Sequence, residues 1–144
     1  MTETELIQKL TAGLPSDSSV LTGPGDDCAV IELGGQKLLF KTDAIVEGIH
    51  FSGDTPPEKI GRKALARALS DIAAMAGTPT HALVTLGICE EHKPAIIEKI
   101  FAGLKDIAVE YNVNIVGGET TTLSKLTLSI SLLGTCLNPI LRNG

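Results

Sequence analysis

The sequence predicts an α/β (α+β) domain, a mixed and mainly antiparallel sheet with helices on one face. Three observations carry this. Two long segments, near 57–76 and 94–111, repeat apolar residues every three and four positions. Two shorter ones, 81–89 and 126–132, alternate apolar and polar residues. Between two apolar runs, Gly34-Gly35 forms a tight hairpin turn, because both central residues of such a turn need positive φ. Elements of both kinds bury their apolar sides by packing helices against a sheet.

Taken in order, Leu6, Ile7 and Leu10 lie at helical spacing and Gly13 and Pro15 stop that helix. Gly23-Pro24-Gly25-Asp26-Asp27 is a glycine-rich turn into the hairpin. Around the Gly-Gly turn, residues whose numbers sum to 69 face each other, so Asp26 is expected opposite Asp43 and Asp27 opposite Thr42. Thr55 as a cap, Pro56-Pro57 and Glu58 mark the start of the first long helix. Ile60, Ala64, Leu65, Ala68, Leu69, Ile72 and Met75 form its apolar face, and Gly77 and Pro79 end it. His81 to Cys89 reads as a strand, Pro94 to Tyr111 as a helix, and Asn114-Ile115-Val116 as a short strand running into a Gly117-Gly118 turn. Leu126, Leu128, Ile130 and Leu132 alternate in a last strand.

The 144 residues suit one domain, and a chain of that length buries about two-thirds of its unfolded surface. A net charge of −5 argues against a nucleic-acid or anionic-membrane surface, and 3% aromatic content gives no platform for base stacking. An acidic protein that handles phosphate needs metal ions or backbone amides to offset the repulsion. Cys28, Cys89 and Cys136 have no zinc-type spacing and read as reduced core residues. No basic leader and no apolar run of about 20 residues is present, so a cytoplasmic protein is expected.

Chemistry-bearing residues gather near glycine turns. Opposed Asp26 and Asp43, roughly 5 Å apart in a ladder, would repel. They are either a pair bridged by a hard cation such as Mg²⁺ or ordinary turn acids where the hairpin frays. Asp71, among apolar helix residues, is either an i, i+4 partner of Arg67 or a third carboxylate for that site. Gly117-Gly118-Glu119 with Thr120 to Thr122 is either a backbone nest for phosphate or a plain loop. His50 stands in a glycine-containing loop among acids. The common nucleotide loops are absent.

Four blocks in order, 25–30, 41–51, 64–75 and 117–121, together resemble thiamine-monophosphate kinase, of the superfamily of aminoimidazole ribonucleotide synthetase and selenophosphate synthetase. The resemblance implies ATP- and Mg²⁺-dependent phosphorylation of thiamine monophosphate to thiamine diphosphate, by direct transfer without a covalent nucleophile. It implies Asp26, Thr42, Asp43 and Asp71 as metal ligands, His50 as a substrate contact, and Glu119 with Gly118 at metal and ATP. Phe101 falls near an aromatic nucleotide contact and Arg142 at a phosphate-binding arginine. Two departures stand out: Glu119 where Asp is usual, and Lys41 where a small hydroxyl residue is common.

The family plan also implies a homodimer joined through the sheets, with ATP near the junction, and a second domain. Residues 1–138 are therefore expected to be the amino-terminal ATP/Mg-binding and dimerisation domain, with 139–144 beginning a linker. The rival readings are an aminoimidazole ribonucleotide synthetase-like enzyme and a non-catalytic dimerisation module retaining the motifs.

Overall fold

Every second residue of the last strand, 127–135, is buried, and that alternation decides which face of the sheet the helices cover. The structure, a computed structural model, describes residues 1–141. In chain order its elements are α1 (Glu3–Thr11), β1 (Val20–Thr22), β2 (Ala29–Leu33), β3 (Gln36–Val46), α2 (Pro57–Ala74), β4 (Thr78–Ile88), α3 (Pro94–Glu110), β5 (Asn114–Thr122) and β6 (Thr127–Thr135). The strands form one sheet in the order β1-β2-β3-β6-β4-β5. All neighbours run antiparallel except β4 and β5, whose parallel pairing needs the α3 crossover. The expected mixed, mainly antiparallel sheet is what forms.

Leu39 and Ile45 of β3, Leu128, Ile130 and Leu132 of β6 and Ala82, Val84 and Leu86 of β4 are all buried. They meet Ile60, Leu65, Ala68 and Ile72 of α2 and Ile100, Leu104 and Ile107 of α3 in one core. The opposite face stays open, with Phe40, Leu83 and Val116 exposed. Helix α1 has a Thr2–Glu5 capping box but buries none of its residues. Among the described residues, no helix is long and apolar enough to cross a membrane.

Helices α2 and α3 touch backbone to backbone. A Cβ on Gly61 would lie 1.9 Å from the Ile100 carbonyl oxygen, and one on Gly103 would lie 2.0 Å from that of Glu58. Only glycine permits this approach. The start of α2 differs from the expectation: Pro56 is the cap position and no side chain caps it, so Thr55 is not used as a cap. At its end the left-handed residue is Ala76, at φ 59°, one before Gly77. Gly77 is needed for space, since a Cβ there would meet the Leu39 side chain at 2.2 Å.

The hairpin has the expected register, Ala29↔Phe40 through Leu33↔Gln36. It stops at Ala29, however, so Asp26 and Asp43 are not ladder partners. Beyond Phe40, β3 continues to Val46 along β6, while the chain before β2 bends away with the Cys28 N–H donated to Met75 Sδ at 3.1 Å. The Gly117-Gly118 turn is likewise corrected. β5 passes straight through these glycines to Thr122, because β4 offers a parallel ladder for the whole stretch; the irregularity is a bulge between the Ala82↔Ile115 and Leu83↔Gly117 pairs. The stretch is therefore neither the plain loop nor the backbone nest that the sequence left open, but part of an edge strand.

Candidate functional site

Lys63, Arg67 and Asp71 stand four residues apart and so share one face of α2. Lys41 and Asp43 alternate with Thr42 and share the side of β3 that carries buried Leu39 and Ile45. The two rows meet as a ladder of three rungs. Lys41 Nζ lies 2.7 Å from Asp71 Oδ2, and Arg67 Nη2 lies 3.6 Å from Asp43 Oδ1. At the third rung Lys63 Nζ donates to the backbone carbonyl of His50. The i, i+4 pair Arg67–Asp71 does not form, because β3 supplies each residue with a partner across the interface. A groove of about 420 Å³ opens here, lined by Asp43, Lys63, Ala66, Arg67, Ser70 and Asp71.

These pairs are partly exposed, and pairs of that kind contribute only about 0–1 kcal/mol each to stability. Their interest is chemical: two cations, Lys63 and Arg67, and two carboxylates, Asp43 and Asp71, line one groove, and Lys41 is paired with the second carboxylate. Asp26 and Asp27 approach from the loop before β2, with Asp26 Oδ1 accepting the Asp27 N–H at 2.8 Å. Cys28 reports the proximity. Burial pushes its thiol up to about 11; the Lys41 charge pulls the other way, and the charges of Asp71, Asp27 and Asp26 add to the rise. The acids do not close into a cage, since among the described residues no three His, Cys, Asp or Glu side chains are grouped to hold a metal ion.

His50 sits at the end of this groove, in the loop after β3. Its Nδ1 accepts the Val46 N–H at 2.9 Å, which leaves Nε2 carrying the proton of the neutral ring. The loop is closed by Gly48 N–H to the Phe51 carbonyl at 2.7 Å, with Gly48 at φ 84°. His92 repeats the arrangement, accepting the Cys89 N–H at 2.9 Å, with its Nε2 3.8 Å from Glu47 Oε1.

The remaining expected residues lie elsewhere. Phe101, Gly118 and Glu119 border a second groove of about 330 Å³ between α3 and β5, with Val84, Leu86 and Ile115. A Cβ on Gly118 would fall 1.8 Å from the Val84 carbonyl oxygen, so the ladder itself demands glycine. Register lines up Asp43, Ile130, Val84 and Gly118 across the sheet. Three strand spacings separate the two grooves, roughly 14 Å. Glu119 pairs with Thr85, between buried Val84 and Leu86, and so belongs to the open face. Thr42 also belongs to that face, with Oγ1 3.5 Å from Ser129 Oγ. Neither joins Asp43 and Asp71. Arg142 lies outside the described residues. Sequence reading missed Lys63 and the role of Arg67; the four-residue spacing with Asp71 was the available signal.

Residues 25–136 match the family model of AIR synthase related protein, N-terminal domain. The thiamine-monophosphate kinase of Rhodopirellula baltica is 39% identical over 135 residues, covering 87% of this chain and 43% of the relative. That of Bacillus subtilis is 36% identical over 137 residues, covering 93% of this chain and 42% of the relative. A solved structure described as AaThiL complexed with AMPPCP and TMP aligns with a TM-score of 0.85 and 31% identity, over 96% of this chain and 42% of the other. The chain thus spans about two-fifths of the length of these relatives.

Proposed function

The chain belongs to the AIR synthase related protein family through its N-terminal domain, and from that premise we propose that it is the Mg²⁺- and ATP-binding part of a thiamine-monophosphate kinase. The observation that carries this reading is the ladder between α2 and β3, which sets Asp43 and Asp71 beside Lys63 and Arg67 in one groove, with Lys41 paired to Asp71. Its support from likeness is that the AaThiL structure holds AMPPCP, an ATP analogue, together with TMP.

The donor set fits Mg²⁺. Carboxylate oxygens are the hard ligands this ion prefers, and it is commonly held by one or two carboxylates plus substrate phosphates rather than by a closed protein cage. Asp43 and Asp71, with Asp26 from the neighbouring loop, would hold it. Bound there, Mg²⁺ supplies charge neutralisation for the transferring phosphoryl group. Lys63 and Arg67 offer donors to phosphate oxygens at the groove, and His50 offers Nε2–H to an acceptor on the substrate. Lys63, by holding the His50 carbonyl, fixes that imidazole relative to the acid pair. Positioning and electrostatics of this kind account for most of the rate in phosphoryl transfer, so no side chain is assigned as a nucleophile.

We read the open face as the contact with a second copy of the chain. Phe40, Leu83, Val116 and Leu133 surround an apolar hollow there, and Thr42 and Glu119 belong to the same face. Docking two such faces would bring Thr42 and Glu119 to a junction between subunits. The three free cysteines accord with a cytoplasmic, reducing setting.

Calorimetry with Mg-AMPPCP tests the reading. The 144-residue chain should bind it, and Asp43→Asn should weaken binding at least tenfold with an unchanged thermal melt. Absence of binding by the unaltered chain would overturn the assignment.

A further inference from the structure

Both carboxylates of the groove already have cations of their own. Lys41 holds Asp71 at 2.7 Å, and Arg67 reaches Asp43 at 3.6 Å. An ammonium or guanidinium and a metal ion compete for the same carboxylate lone pairs. With these cations in place, a divalent ion arriving alone meets neutralised ligands and is repelled by Lys41, Arg67 and Lys63 together. Phosphate oxygens change that balance, because they accept hydrogen bonds from the same three side chains and release the acids.

We propose that Lys41 and Arg67 are built-in counter-ions that exchange partners on loading. They guard Asp71 and Asp43 in the empty groove and transfer to phosphate oxygens when a polyphosphate arrives with its metal. The inference rests on the reading above as a Mg-nucleotide groove, and it adds a linkage: metal and polyphosphate each raise the other's affinity by the same factor, as coupled ligands must. Lys41 matters most, being the shorter contact and the less exposed cation of the two pairs. Its Nζ lies 2.7 Å from Asp71, which lines the groove, so a modest side-chain movement would carry it from that carboxylate to an anion bound there.

The test titrates the full chain with Mg²⁺ alone, with metal-free AMPPCP alone, and with each in the presence of the other. Lys41→Gln keeps part of the aliphatic stem and removes the charge; Arg67→Gln does the same at a partly exposed helix position, and thermal melts of both variants confirm that they are folded. Each variant should bind Mg²⁺ alone about tenfold more tightly than the unaltered chain, bind metal-free AMPPCP more weakly, and show a smaller coupling factor, within the 5- to 150-fold span usual for linked sites, roughly. Adding Asp71→Asn to Lys41→Gln should abolish the gain in metal affinity. A gain in either variant supports the exchange, whereas unchanged or weaker Mg²⁺ binding in both overturns it. Binding of Mg-AMPPCP by the unaltered chain with no gain in the variants would sink the exchange and leave the nucleotide reading standing. A gain in metal affinity with no binding of AMPPCP, with or without metal, would overturn both, since the cations would then have no phosphate to exchange onto.

Discussion

Replacing Gly103 with alanine sets two physical effects against each other, and the structure decides the sign. Helix propensity alone favours alanine by about 1 kcal/mol. The new Cβ would lie 2.0 Å from the Glu58 carbonyl oxygen and 2.8 Å from its carbon, both backbone atoms of α2. Real Cβ atoms stay at least 3.0 Å from such neighbours, so the helices must part by about 1.0 Å at their closest point. That movement loosens Ile60 and Ala64 of α2 from Ile100 and Leu104 of α3, all buried in the core. Overpacking that forces a backbone shift costs about 3 kcal/mol at the upper end of its usual range, leaving a net loss of about 2 kcal/mol. At about 4 °C per kcal/mol for a domain of this size, the melting temperature should fall by about 8 °C. Urea and thermal melts followed by circular dichroism measure it. Gly61→Ala strains the same crossing, so the double variant should lose less than the sum of the two. A Gly103→Ala protein that melts higher than the parent would refute the claim that the two glycines set the helix separation.

Three further outcomes are expected. Leu83→Glu on the open face should convert any dimer seen by sedimentation at high concentration into monomer without changing the circular dichroism spectrum; a strict monomer before substitution would remove the subunit contact. Cys28 should resist alkylation at pH 8 while Cys89 reacts, since burial raises the Cys28 thiol from 9.0 to about 11. Because the unfolded thiol ionises first, that contribution to stability is intact below pH 9 and fades as pH rises toward 11, so equal reactivity of the two thiols would contradict the burial. Gly118→Ala should loosen β5 and speed amide exchange across Gly117 to Thr120, given the 1.8 Å approach to the Val84 carbonyl; unchanged exchange there would mean the edge strand simply shifts aside.

The local chemistry of the sequence carried the fold class a long way. Period-two alternation in 126–132 named the residues that β6 buries, and Gly34-Gly35 fixed the hairpin register to the residue. Neither signal says where pairing ends. Register arithmetic extends a ladder indefinitely and so sets Asp26 opposite Asp43, whereas in the fold the β2 ladder ends at Ala29, β3 runs on along β6 at its other edge, and Cys28 turns toward Met75. The same blindness turned Gly117-Gly118 into a loop, since glycine's turn preference is local and the parallel ladder offered by β4 is not.

What the sequence by itself determined was the inventory: which segments are helix or strand, which faces are apolar, and which acids and bases are available for metal and phosphate. Partnership was decided only by the tertiary structure. Lys41 and Asp71 are thirty residues apart in number, Arg67 and Asp43 twenty-four, and nothing in local spacing brings either pair together. The packing of α2 across β3 does, because burying Ile72 and Leu65 against Leu39 and Ile45 leaves the helix one angular setting. In that setting its polar edge lies along the charged residues of the strand.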